Sequence, residues 1–206
     1  MNQDSFLVSD RTGIYAVADG VGGGLKGEVA SQMAVEGIAT LPETEVRLSP
    51  HIEKIQQAIL KEAIDTLGEA VMGTTLTAVR IQGNTATFGH VGDSHLYHFT
   101  EDTLKLLNID HELFDEGVGG TVLVSYLGID SDVHPLQIQE ETFTVAPGDK
   151  LILCSDGLYR QISEQRMIEL LRQYAKEPNN MLAAMCAEAS AVPHSDNVTV
   201  VLVEVE

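Results

Sequence analysis

The sequence predicts an α+β fold built on antiparallel sheets. Two observations predict it. The strand-like segments come in hairpin pairs, and the helical segments come in two consecutive pairs instead of alternating with strands. In chain order, "SFLV" and "IYAVAD" read as strands on either side of the turn "SDRTG". Residues 26–41 carry Val29, Met33, Ile38 and Leu41 at helical spacing, which predicts one apolar face. "LSPHIEKIQQAILKEAIDTLGEAV" is the clearest helix: Ser49 is placed to cap it, Pro50 suits the first helical position, and Ile52, Ile55, Ile59 and Ile64 recur along it.

The period then changes. "TTLTAVRIQ" and "TATFGHVG" alternate and meet at Gly83-Asn84, a two-residue hairpin signal. "HLYHF" and "LKLL" make a second hairpin around "TEDT", and residues 108–128 are the least regular stretch. "LQIQEETFTV", "APGD" and "KLILCS" predict a third hairpin. Ser163 caps a helix in "SEQRMIELLRQYAK", "NNMLAAMCAEASA" gives another, and "NVTVVLVEV" closes the chain as a β-branched strand. No linker, low-complexity run or internal repeat interrupts the 206 residues, so one domain over 1–206 is expected.

Charge narrows the function. The 31 acids against 12 bases leave a net charge of −19, which excludes a nucleic-acid or anionic-membrane surface. The same field would repel any phosphate substrate unless bound dications reversed it locally. Cys154 and Cys186 lie in apolar settings and read as reduced thiols, not as a disulfide scaffold. "MNQDSFLVSD" is no signal peptide and no apolar run approaches a membrane span, so a cytoplasmic protein is expected.

Five acids share one local grammar. Asp4 precedes a strand; Asp19 ends "IYAVAD" before Gly20; Asp93 ends "FGHVGD"; Asp156 ends "KLILCSD" before Gly157; Asp196 precedes Asn197 and the last strand. Taken singly, each reads as a turn-forming aspartate. Taken together, acids at the mouths of strands that can lie side by side are costly unless solvated, hydrogen-bonded or bound to a cation. Mg²⁺ and Mn²⁺ take oxygen ligands of this kind, and a following glycine lets its carbonyl turn inward as one more. The glycines of "VADGVGGG" fit that need for close backbone approach.

"NQDSF", "VADGVGGG", "GTTLTAVRI", "GHVGDSHLY", "LILCSDGL" and "SDNVTVVLV" occur in that order. Together they resemble the metal-dependent serine/threonine protein phosphatases of the type 2C family, bacterial branch, from residue 2 to about residue 204. The resemblance implies a four-layer αββα sandwich: two antiparallel sheets face to face, flanked by helix pairs. It implies that Asp19 bridges two Mn²⁺ or Mg²⁺ ions, that the Gly20 carbonyl binds the second, and that Asp156 and Asp196 complete the first. Asp4 supports the second ion, and Asp93 matches an acid for a weaker third. By two-metal chemistry, a water activated between the ions attacks a phosphomonoester in line, with Asp19, Asp156 and Asp196 as the catalytic set. "GTT" at 73–75 reads as the start of a central strand, and Asn197 as orienting Asp196 or its turn. The implied substrate is a phosphoprotein and the implied partner system a bacterial serine/threonine kinase.

The chain departs from the family pattern in five places. Family members usually carry a phosphate-gripping arginine before "NQD"; the given sequence starts at Met1, so that arginine and most of the family's first strand are expected to be absent from it. Val21 stands where many eukaryotic members have histidine, and Gly24 where bacterial members often do. Arg160 replaces a common aspartate four residues after Asp156, which predicts a weak or absent third metal and a guanidinium in its stead. The stretch after His111 leaves room for only a loop and part of a strand where the family has a flap. His95 stands where arginine often follows "GDS"; His90, His98, His111 and His194 also lie near the motifs without one emerging as a proton donor.

The departures motivate an alternative: a catalytically weak module of the same fold that binds a phosphoprotein or partner. The retained acids at 19, 156 and 196 oppose it. A carboxylate-metal nuclease fails for want of a basic patch.

Overall fold

The computed structural model describes residues 2–21, 25–130, 135–193 and 196–206. Strands β1 (Asp4–Ser9), β2 (Ile14–Asp19), β3 (Leu76–Gln82), β4 (Thr85–Val91) and β9 (Gln139–Thr144) form one antiparallel sheet in the order β1-β2-β3-β4-β9. Strands β5 (His95–Thr100), β6 (Thr103–Leu106), β10 (Lys150–Cys154) and β11 (Val200–Glu204) form a second in the order β11-β10-β5-β6. A small hairpin, β7 (Glu112–Asp115) with β8 (Gly120–Leu123), stands apart from both.

Period-two alternation sorts these strands into layers. On β2, Ile14, Ala16 and Ala18 turn outward to helices α1 (Gly27–Ala39) and α2 (Ser49–Leu67), while Tyr15 and Val17 turn inward to the second sheet. On β10, Leu151 and Leu153 face Val17, Val79 and Phe88, while Ile152 and Cys154 face outward. There they meet α3 (Asp156–Tyr159), α4 (Glu164–Gln173) and α5 (Pro178–Ser190) through Leu158, Met167, Leu170, Met181 and Met185. The result is the αββα sandwich expected. No helix among the described residues is long and apolar enough to cross a membrane.

Several local expectations change. The core face of α1 is Ala30, Ala34, Val35 and Ile38, with Val29 and Met33 only partly buried at its margin. Small residues win because Ala30 and Ala34 let the helix sit close on Ala16, Ala18 and Ala78. On α2 the fourth core position is Ala63, not Ile64, which is 50% exposed; a five-residue step overshoots the apolar stripe. The cap position of α2 is Leu48, and Ser49 is already helical. Its exposed amide is satisfied across the fold: Ser49 N–H donates to Glu140 Oε2 of β9 at 2.5 Å. Ser163 does cap α4, accepting from Arg166 N–H at 3.2 Å.

The third hairpin does not form. β9 pairs with β4 in the first sheet and β10 with β5 and β11 in the second, so the "APGD" turn carries the chain from one sheet to the other. Conversely, residues 112–123 hold more order than expected, as the β7–β8 hairpin.

Candidate metal centre

The acids gather where the two sheets meet. The β1–β2 register sets Asp4 directly opposite Asp19. Asp19 ends β2, and Gly20 continues as an isolated bridge to Thr74. The backbone of Asp19 is fixed by two threonines: its N–H donates to Thr75 Oγ1 at 2.9 Å, and its carbonyl accepts from Thr74 Oγ1 at 2.9 Å. Thr75 Oγ1 lies 2.6 Å from Ser94 Oγ, which links this end of β2 to the loop carrying Asp93. "GTT" thus positions the acid, and the strand it precedes starts only at Leu76. Gly20 is required by close approach: a Cβ there would stand 2.6 Å from the Gly27 backbone at the start of α1.

The second sheet supplies the opposite side. Asp156 follows β10 and opens α3, while Asp196, which is exposed, lies just before the last strand. Ser155 ties the sheets together: its hydroxyl donates to Asp4 Oδ2 at 2.8 Å and accepts from Thr199 N–H at 3.0 Å. Asn197 does the same from its side, its Oδ1 accepting from Gln3 N–H at 2.9 Å and its own N–H donating to Asp196 Oδ1 at 2.7 Å. The expected role of Asn197 in the Asp196 turn is therefore played by its backbone, and its side chain reaches the other sheet.

Electrostatics records how closely these groups face one another. Burial first, then Asp4, Asp156, Asp93 and Asp196, push the Asp19 carboxyl up to about 9. Burial, Asp156 and Glu112 push Asp93 up to about 7 against the pull of Arg160. Burial also raises Asp156, aided by Asp196, Asp4 and Glu112 and opposed by Arg160. Burial raises Asp4 as well, although Thr199, the Ser155 hydroxyl and Asp19 lower it. All five sequence-predicted acids act in one field, with Gly20 beside them; Gly22, Gly23, Gly24 and His194 lie outside the described residues.

Two observations fit this field to hard dications. Asp4 Oδ1 and Asp156 Oδ1 are buried without a hydrogen-bond partner among the described residues, an arrangement that costs free energy unless something electropositive meets them. The donors are oxygen throughout, carboxylates with the Gly20 carbonyl beside them, the chemistry Mn²⁺ and Mg²⁺ prefer. Among the described residues no three His, Cys, Asp or Glu side chains close on one point. The acids share a field rather than a finished cage.

Sequence reasoning missed Ser155, Thr199 and Glu112. Ser155 carried a signal, its place directly before Asp156. Glu112 carried none, because only the hairpin brings it here.

Behind Asp93 lies a buried histidine network. Asn108 Nδ2 donates to His90 Nε2 at 3.3 Å, so Nδ1 carries the proton and donates to Thr77 Oγ1 at 2.9 Å. Thr77 passes its own proton to the Ser94 carbonyl at 2.8 Å. Burial and neighbouring His111 push the His90 imidazole down to about 3, against Asp110. The unfolded chain takes up this proton near pH 6.5 and the folded chain does not. The contribution is therefore complete above pH 6.5 and is lost as pH falls toward 3, by up to about 1.4 kcal/mol per pH unit. Urea unfolding of His90→Gln from pH 7 to 4 is expected to show a shallower decline than wild type by that slope; parallel curves would remove His90 as the source. His95, by contrast, is structural: its ring stacks on Tyr159 at 3.6 Å, and it bonds Tyr97 Oη at 2.8 Å and Asp110 at 3.1 Å.

Layers, sheet order and acids at the strand ends define a metal-dependent phosphatase of the type 2C class. Within that class the chain belongs to the family of Stage II sporulation protein E (SpoIIE), which its residues 9–206 match. It is 29% identical over 232 residues to the serine/threonine phosphatase stp of Listeria innocua, covering 98% of this chain and 90% of that protein. Among solved structures it resembles the Mycobacterium tuberculosis serine/threonine phosphatase PstP/Ppp, with a TM-score of 0.85 at 26% identity over 100% of this chain and 93% of the other. It also resembles the catalytic domain of PstP in complex with two manganese ions, with a TM-score of 0.76 at 27% identity over 98% and 90% of the two chains.

Proposed function

We propose that this chain removes phosphate from phosphoserine and phosphothreonine in proteins, with Asp4, Asp19, the Gly20 carbonyl, Asp156 and Asp196 holding two Mn²⁺ or Mg²⁺ ions. The single observation that carries the reading is the pairing of partnerless buried oxygens on Asp4 and Asp156 with an Asp19 that faces four other acids. Held by these residues, dications would activate a water for attack at phosphorus and offset the repulsion between a −19 chain and the phosphoryl oxygens.

The chain's own residues prepare that site. Thr74 and Thr75 fix the backbone of Asp19, and Ser155 holds Asp4 against the second sheet. Cys154 is no nucleophile: it is fully buried, and burial pushes its thiol up. A phosphoprotein substrate implies an opposing serine/threonine kinase. The cytoplasm suits two free thiols, Cys154 and Cys186.

The test is phosphate release from a phosphothreonine peptide with Mn²⁺, with Mg²⁺ and with chelator. Turnover that appears with metal and stops with chelator is expected. Peptide binding with no metal-dependent turnover would replace the enzyme by the binding module.

A further inference from the structure

Arg160 stands one turn after Asp156, at the end of α3. Its Nη2 donates to Asp93 Oδ2 at 3.1 Å and to Glu112 Oε1 at 2.8 Å, and its Nε lies 3.0 Å from Asp156 Oδ2. One guanidinium thus joins carboxylates from three elements: the loop after β4, the first turn of α3 and the first residue of β7. An exposed arginine ordinarily makes one screened ion pair of little worth. Here the three acids are only 8%, 20% and 15% exposed for Asp93, Asp156 and Glu112, so the fork is screened far less.

The hairpin β7–β8 needs such a tie. Leu113, Phe114 and Val118 are 63%, 69% and 72% exposed, so apolar burial does not hold its outer half. At its base, His111 N–H donates to the Gly92 carbonyl at 2.8 Å and Gly92 N–H to His111 Nδ1 at 3.1 Å. Beyond that base, Glu112–Arg160 is its only ion pair to the body among the described residues.

We propose that Arg160 is a built-in cation of the acid cluster. It takes the flank between Asp93 and Asp156 that a further dication would take, and through Glu112 it latches the β7–β8 hairpin beside the cluster. A further dication between Asp93 and Asp156 would sit beside a guanidinium already within hydrogen-bond distance of both, and like charges repel at that range, whereas the proposed two-ion site would use Asp156 Oδ1, which the guanidinium does not touch. The cation half rests on the metal-site reading above; the latch half rests on the ion pairs alone.

Three variants test it: Arg160→Ala, Glu112→Gln and, as control, Arg166→Ala, which removes an arginine that among the described residues pairs only with Glu169 and Glu188. Hydrogen exchange of residues 112–123 is measured without metal. Amides there are expected to exchange roughly tenfold faster in Arg160→Ala and Glu112→Gln and unchanged in Arg166→Ala; wild-type rates in Arg160→Ala overturn the latch. Bound Mn²⁺ is then counted by native mass spectrometry. Arg160→Ala is expected to take up one ion more than wild type, and Glu112→Gln, which leaves the guanidinium on Asp93 and Asp156, the same number. Equal counts in wild type and Arg160→Ala overturn the built-in cation. A wild type that takes up no Mn²⁺ overturns the proposed function and the cation half with it, while exchange still decides the latch. Arg160→Gln, which keeps the bulk, serves if the alanine variant does not fold.

Discussion

Asp19→Asn is expected to lower manganese-dependent kcat/KM by at least about 10³-fold, the several kcal/mol that metal-supplied charge stabilisation is worth. Asp19 is the acid that all the others face: Asp4 lies opposite it in register, and Asp156, Asp93 and Asp196 act on it from the second sheet and the β4 loop. An amide keeps the shape and the carbonyl oxygen but removes the charge that would hold an ion between the sheets. Stability should move the other way in the metal-free protein: at pH 8 a carboxyl pushed up to about 9 must take up on folding a proton that the unfolded chain does not hold, or stay charged among four acids, and an amide does neither. Metal-free Asp19→Asn is therefore expected to melt higher than wild type at pH 8, by about 4 °C if 1–2 kcal/mol of this penalty is relieved. The gain in melting temperature on adding Mn²⁺ should shrink at the same time. Phosphopeptide turnover, Mn²⁺ calorimetry and thermal melts check these points together. Less than tenfold loss of turnover with unchanged Mn²⁺ affinity would remove Asp19 from the metal site.

The second large effect is expected at Gly157. A Cβ there would stand 2.0 Å from the Asn197 carbonyl oxygen, well inside contact distance, and that oxygen is backbone and cannot swing aside. The segment that must yield carries Asp196 and the Asn197 side chain that holds Gln3. Gly157→Ala is expected to destabilise the fold by about 3 kcal/mol, lowering the melting temperature by roughly 6–12 °C in a chain of this size. It should also weaken Mn²⁺ binding by about 10–100-fold, the usual cost of displacing the groups that orient ligands. Gly120→Ala, where a Cβ meets nothing within 4 Å, is the control and should stay within about 0.5 kcal/mol. Equal behaviour of the two variants would mean that the approach of the Asn197 backbone does not require glycine at 157.

These two residues also show what was legible. "DG" at 19–20 and at 156–157 reads from sequence as a turn that happens to carry an acid. Close approach of Gly20 to Gly27, and of Gly157 to Asn197, belongs to contacts far apart in the chain and has no local signature. The strands of β2 and β10 could be read because a short continuous apolar run is a local property, imposed here by burial of both faces, one against helices and the other against a sheet. The join after β9 was misread for the same reason: "APGD" is a sound turn, but a turn does not say whether the strands it links will pair. On α2, helical period suggested Ile64, whereas the width of the buried stripe, set by the sheet beneath, selected Ala63.

By itself the sequence determined the kinds of element, the acid-rich, base-poor balance of charge, and which carboxylates end strands. Only tertiary structure decided that Asp4 and Asp19 stand across from Asp156 and Asp196, that Ser155 and Asn197 stitch the sheets at that point, and that Glu112 reaches Arg160. The physical reason is range. Backbone preference and hydrophobic period act over a few residues and leave their mark in order along the chain. The balance of buried charge depends on which distant segments meet, and folding alone sets that.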